Sequence, residues 1–281
     1  MRTVLRSKII VLVLLAAGCL WAAGEEGPLR KEPPVGITPE EIIRRFTAKE
    51  KEFKQVLSSY GYRETIKVQV LDGDTVTGDY QRIADYSFDE NGKKLRNVVF
   101  APQATFTNIE MNQADFDDLE NRMPFTLSSD ELLQYNVLYV GQQMEDELHC
   151  YVFDIAPKQF EKGKRYFQGR LWVDDKDFQI VKNYGKGVPD IHLNKKGKGQ
   201  ENLFPKFTTW REQVDGKYWF PTYSYADDVL HFVNQDVHIK QTVKYTNYAQ
   251  FGSSVKITYE GKEVEKAPAS GQNKPQDKPK Q

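Results

Sequence analysis

From Arg63 onward the chain keeps returning to a two-residue rhythm broken by turn residues. That rhythm leaves room for little besides an antiparallel sheet with one wet and one dry face. Ile66, Val68 and Val70 alternate with Thr65, Lys67 and Gln69, and Leu71-Asp72-Gly73-Asp74 forms a hairpin turn. A second strand is predicted from Thr75 to Phe88, a turn over 89–93 and a third strand over 95–100. Further strands are predicted at 136–142, 147–155, 165–173, 178–184, 204–214, 217–225, 230–234, 236–248 and 255–259. In the penultimate strand Val237, Ile239, Val243 and Tyr245 face one way, and His238, Lys240, Thr242 and Lys244 the other.

One long helix precedes the strands. Thr38 is placed to cap it, Pro39 suits the first helical position, and Glu41 completes a capping box. Ile42, Phe46, Phe53, Val56, Leu57 and Tyr60 recur at helical spacing, with charges opposite. The helix is predicted to run about six turns and to end near 58–61, with Gly61 as a left-handed cap. Its apolar stripe must lie against the sheet. Residues 108–136 interrupt the strands with short helices predicted at 112–122 and 128–135, either a surface excursion or a flap over a cavity. Residues 186–200, rich in Gly and Lys, read as a loop. The fold class is therefore α+β, mainly antiparallel β. It is an incomplete, half-open barrel of about ten to eleven strands, with the N-terminal amphipathic helix and short helices covering the concave side.

The ends of the chain address it outward. Arg2, Arg6 and Lys8 precede an apolar run over 9–20 and the small residues Ala22-Ala23-Gly24, the pattern of a cleavable secretory signal over 1–24. An alternative cut at Leu15-Ala16-Ala17-Gly18-Cys19 would leave Cys19 lipidated and the protein membrane-anchored; an uncleaved anchor is a further alternative. Residues 25–37 read as a linker, 38–259 as the folded domain and 260–281 as a disordered tail. The expected location is outside the cytoplasm, in the periplasm. Without the three basic residues of 1–24, 36 basic residues face 40 acidic ones, which argues against nucleic acid as a partner.

Catalytic signals are sparse. No G-x-S-x-G, Walker loop, H-E-x-x-H or C-x-x-C occurs. His149, His192, His231 and His238 lie in or beside strands at separations unlike a metal motif. Asp174, Asp175 and Asp177, and likewise Asp227 and Asp228, read as turn chemistry. Strand alternation puts Cys150 on one face with Leu148 and Val152, and it reads as a buried, inert thiol. Asp85, in a tyrosine-rich strand, is the acid to check for burial. No cofactor, metal or enzymatic activity is expected, although a hydrolase built from Asp85, His149, His231 and His238 would show as a convergence of those side chains in one cleft.

The aromatic content points elsewhere. Phe153, Phe167, Trp172, Phe204, Trp210, Tyr218, Trp219, Phe220 and Tyr223 fall at strand positions, as core or as the wall of an apolar hollow. The stretch Lys164-Arg165-Tyr166-Phe167-Gln168-Gly169-Arg170-Leu171-Trp172-Val173-Asp174, with Phe178-Gln179-Ile180-Val181-Lys182, resembles the central hairpin of lipoprotein-sorting proteins of the LolA-like superfamily. Tyr151-Val152-Phe153-Asp154-Ile155-Ala156-Pro157-Lys158, Phe207-Thr208-Thr209-Trp210-Arg211 and Trp219-Phe220-Pro221 fit the same pattern. The resemblance implies a half-barrel whose mouth is covered by helices and whose interior shelters acyl chains of lipids or lipoproteins. No position here matches the carriers' functional arginine. The residues expected to line the hollow are Phe46, Phe53, Leu57, Ile66, Val68, Leu171, Trp172, Trp210 and Trp219. A monomer is expected, with other envelope proteins as further partners. The alternative is an envelope interaction protein whose barrel is filled.

Overall fold

The computed structural model describes residues 26–121, 123–189, 191–193 and 200–250. Helix α1 spans Pro39–Leu57, and Thr38 accepts a hydrogen bond from the Glu41 N–H as the capping box requires. The helix stops earlier than the periodicity predicts. Ser58 and Ser59 turn their hydroxyls onto the carbonyls of Gln55 and Val56, and the chain enters a strand at once. Tyr60 lies opposite Gln250 and Gly61 opposite Ala249, so Gly61 belongs to the sheet and caps nothing.

The strands are β1 (Tyr60–Asp72), β2 (Thr75–Phe88), β3 (Lys94–Phe100), β4 (Tyr135–Glu145), β5 (Leu148–Pro157), β6 (Tyr166–Asp174), β7 (Ile180–Val188), β8 (Ile191–Leu193), β9 (Gln200–Asn202), β10 (Phe207–Gln213), β11 (Trp219–His231) and β12 (Asp236–Gln250). The main path runs β3-β2-β1-β12-β11-β10-β7-β6-β5-β4, and β8 and β9 pair off it beside β11. Every pairing between these strands is antiparallel. The outermost strands β3 and β4 do not meet, so the sheet stays open.

Three expectations are corrected. The strands predicted at 217–225 and 230–234 are one strand, β11, and Asp227 and Asp228 sit inside it opposite Lys240 and Ile239 rather than in a turn. Asp227 can stay in the ladder because its carboxylate meets His238 at 2.5 Å and Lys240 at 3.5 Å on the neighbouring strand. The helix predicted at 128–135 shrinks to one 3-10 turn, Leu132–Gln134, because Tyr135 already pairs with Pro157. The loop predicted at 186–200 begins as sheet, since β7 continues to Val188. The other short helix, α2 (Gln113–Asn121), is present. The signal, Cys19, the strand at 255–259 and the tail lie outside the described residues, and no described helix is long and apolar enough to cross a membrane.

Strict alternation sorts the side chains to two faces. One face carries Ile66, Val68, Phe153, Phe167, Leu171, Val243 and Tyr245, all buried in a single cluster with Ile42 and Phe46 of α1. The opposite face carries a smaller cluster of Cys150, Val152, Trp172 and Val181. Residues 27–30 lie along the free edge of β4. The Gly27 N–H donates to the Met144 carbonyl at 3.0 Å, and Arg30 exchanges two 2.8 Å bonds with Gln142. Gly141 makes that approach possible: it sits at a bulge with φ 149°, and a side chain there would collide with the Arg30 carbonyl.

Candidate ligand site on the concave face

Helix α1 fills its half of the concave face. Phe46 meets Phe153 with ring centroids 5.5 Å apart, and Phe53 meets Phe220 edge-on at 5.3 Å. Between them Glu50, fully buried, receives both arms of Arg211 at 2.9 and 3.1 Å. Burial pushes the Glu50 carboxyl above its usual range while Arg211 pulls it back.

The other half is covered by the chain between β3 and β4. Here α2 is followed by a turn at 123–124 and an irregular stretch to 128, in which Met123, Phe125 and Leu127 are buried between partly exposed Pro124 and Thr126. Its carbonyls are held by side chains of the sheet. The Thr209 hydroxyl donates to the Met123 carbonyl at 2.6 Å, and Arg211 donates to that of Phe125. The Phe125 ring stacks on Phe167 at 4.4 Å. Beside Met123 remains a cavity of about 70 Å³ whose lining includes Val68, Leu119, Phe204, Phe207, Leu230 and Ile239. Ion pairs tie α2 down. Asp118 binds Arg165 at 2.6 Å, and Glu120 binds Arg82 at 2.8 Å and also Arg96.

Of the residues expected to line a hollow, Phe46, Ile66, Val68 and Leu171 come together in the main cluster, with Leu57 packed against it. Phe53 anchors an adjoining cluster with Tyr60, Tyr218 and Phe220. These side chains bury one another, and only Val68 reaches the cavity. Trp172, Trp210 and Trp219 do not join them. Leu171 faces α1, so alternation turns Trp172 outward, where its indole N–H donates to Gln143 at 2.9 Å. Trp210 stacks with Tyr223 beside it, and Trp219 donates to Asp177 at 2.7 Å. Asp85 is held by Arg63 at 2.8 Å, His231 by Asp236 at 2.8 Å and His238 by Asp227, while His149 sits in β5 opposite Met144. They do not share one cleft. Burial raises the Cys150 thiol far above its ordinary value, as an inert thiol requires.

The sequence reading missed the polar row on the dry face. Asn183, Thr209 and Ser224 lie opposite one another on β7, β10 and β11, all fully buried. The two hydroxyls bond at 2.7 Å, and among the described residues neither amide atom of Asn183 has a partner. The available signal was polar residues at inward positions of strands whose neighbours are aromatic.

No protein-family model matches the sequence, and the search for curated relatives returned no match. Among solved structures, the fold is similar to a DUF1329 family protein from Desulfovibrio piger, 13% identical over 74% of this chain and 95% of that one, TM-score 0.37. It is also similar to a LolA superfamily protein from Nitrosomonas europaea, 12% identical over 73% and 93%, TM-score 0.34. A third is a putative outer membrane lipoprotein-sorting protein domain from Vibrio parahaemolyticus, 10% identical over 75% and 94%, TM-score 0.33. The superfamily that the hairpin residues resemble is thus among the matched structures. At these scores the matches carry no functional argument, which rests on the geometry alone.

Proposed function

We propose that this is an exported, non-catalytic carrier or binding module for the acyl chain of a lipid or lipoprotein. The chain would enter beneath the α2 cover rather than beneath α1. The observation that carries this reading is the 70 Å³ cavity, whose lining includes Val68, Phe204, Phe207, Leu230 and Ile239 as well as Asp115, Asp118 and Gln241, under a cover fastened by ion pairs. Ligand pockets span roughly 300–1,000 Å³, so the space must grow by displacement of the cover. Each methylene sheltered from water contributes about 0.8 kcal/mol, enough for a long chain to offset a cover shift of a few kcal/mol. Phe46, Phe53, Leu57, Ile66 and Leu171 then serve as the rigid wall behind the site. Mass spectrometry of the purified protein is expected to find bound lipid, and fluorescent palmitate to bind saturably and less tightly after Val68→Phe. A lipid-free protein with no saturable palmitate binding overturns the reading.

The filled interior beneath α1 favours a second reading, an envelope interaction module. Its contact would be the β3 edge, where Leu95, Val98, Val99 and Phe100 are exposed. Binding of an envelope protein lost on Val98→Lys, with no palmitate binding, would select it.

A further inference from the structure

We propose that the trough filled by 123–128 is a recognition groove for an extended polypeptide segment, and that 123–128 is its resident, displaceable occupant. This rests on the concave site named above, but not on the acyl chain. After the turn at 123–124 the stretch keeps the alternating burial of a bound strand, with Met123, Phe125 and Leu127 buried and Pro124 and Thr126 partly exposed. Yet it belongs to no ladder of the sheet. Two of its carbonyls, those of Met123 and Phe125, are instead bonded by the side chains of Thr209 and Arg211, as those of a docked peptide would be.

The groove also offers more than its resident uses. Asn183 is directly opposite Thr209 and fully buried, with donor and acceptor both unpartnered among the described residues, and the Arg211 Nε is unpartnered too. A carboxamide supplies one donor group and one acceptor, the complement of a peptide group. A hydrocarbon chain would satisfy neither. At the Met123 end the cavity leaves room beside Val68, Phe207, Leu230 and Ile239, with Asp115, Asp118 and Gln241 also in its lining. The partner is therefore an extended segment with apolar side chains at alternate positions. The resident is tethered at both ends, by Met123 N–H to Asp118 and by Ser129 N–H to Thr47, each at 3.0 Å. It competes intramolecularly, at an effective concentration no free peptide easily matches.

The test uses a fluorescein-labelled peptide with the sequence of residues 121–130, titrated by polarisation into the full chain. Phe125→Ala removes the stack on Phe167 and weakens the resident. The labelled peptide is expected to bind this variant at least about tenfold more tightly than the unaltered chain, since the tethered competitor is worth a large effective concentration. Adding Asn183→Leu to Phe125→Ala is expected to cut that gain. If Phe125→Ala fails to fold by circular dichroism, Leu127→Ala is the second opener. Equal binding to the folded opener and the unaltered chain, or none to either, overturns the proposal. Palmitate binding without peptide binding also overturns it and leaves the carrier reading standing. Peptide binding without palmitate binding supports it and removes the carrier reading.

Discussion

At the scale of single residues, the buried charges decide what the concave face tolerates. Glu50 and Arg211 are both shut away from water, so their attraction must compensate for a large loss of hydration. Removing one partner strands the other. Either Glu50→Leu or Arg211→Leu alone is expected to destabilise by about 3–5 kcal/mol, while the double variant should recover most of that loss. Urea denaturation of the three variants checks it; two additive losses would show that the pair is not coupled. Glu64 supplies a pH test. Burial raises its carboxyl above the ordinary 4.5, with Lys94 and Arg82 pulling back. The folded protein therefore holds this proton more tightly than the unfolded chain. The stabilising contribution is complete below the unfolded value and is lost as pH rises through the raised folded one. In Glu64→Gln that dependence should vanish, while Arg82 keeps Glu120 at 2.8 Å. Stability of the two proteins is measured at steps upward from pH 4.5. A difference between them that stays constant with pH would refute the assignment.

At the scale of elements, α1 and the strands β1 and β2 were legible because each carries its own period and its own punctuation. Thr38, Pro39 and Glu41 announce the start of α1 from within four residues, and Asp72-Gly73-Asp74 announces the first hairpin. The end of α1 was not legible, since the residue that stops it, Tyr60, does so by pairing with Gln250 at the far end of the domain. The three tryptophans were misplaced for a related reason. Where both faces of a strand are apolar, as in Tyr151-Val152-Phe153 and Leu171-Trp172-Val173, composition cannot say which face meets the helix. Each polar residue at an inward position was a signal, but that Asn183, Thr209 and Ser224 form one row was not legible, because they are adjacent only through strand pairing. The cap of α1 gives a prediction at this scale. Thr38→Ala removes the acceptor for the Glu41 N–H and is expected to cost about 1 kcal/mol, whereas Phe53→Ala, which empties the contact with Phe220, should cost about 3–5 kcal/mol. Thermal denaturation ranks the two; a cap loss equal to the Phe53 loss would contradict the packing described.

At the scale of the whole molecule, the open sheet creates the problem of two unpaired edges, and the two are treated differently. On β4 the edge is covered by the chain's own residues 27–30, tied further by Gln143 to the Gly27 carbonyl at 2.7 Å, Tyr139 to the Glu32 carbonyl at 2.9 Å and Lys182 to Glu26. On β3 the edge is uncovered among the described residues, and a bulge between its pairs with Ile83 and Ala84 breaks its regularity instead. A segment that reads in sequence as a linker thus acts as a protective strap. A chain shortened to begin at Gly36 keeps α1, the sheet and the concave core, so circular dichroism should be nearly unchanged. It loses the cover on β4, whose backbone groups around Gln142 and Met144 then face water beside exposed Leu138. Such an edge accepts another strand, so the shortened protein should associate with rising concentration while the strapped one does not. Gly141→Val should reproduce the effect in the full chain, because the new side chain pushes the Arg30 carbonyl away. Size-exclusion chromatography with light scattering reads both. If the shortened chain stayed monomeric at every concentration, the strap would be ornament and β4 would be guarded by its own twist and bulge.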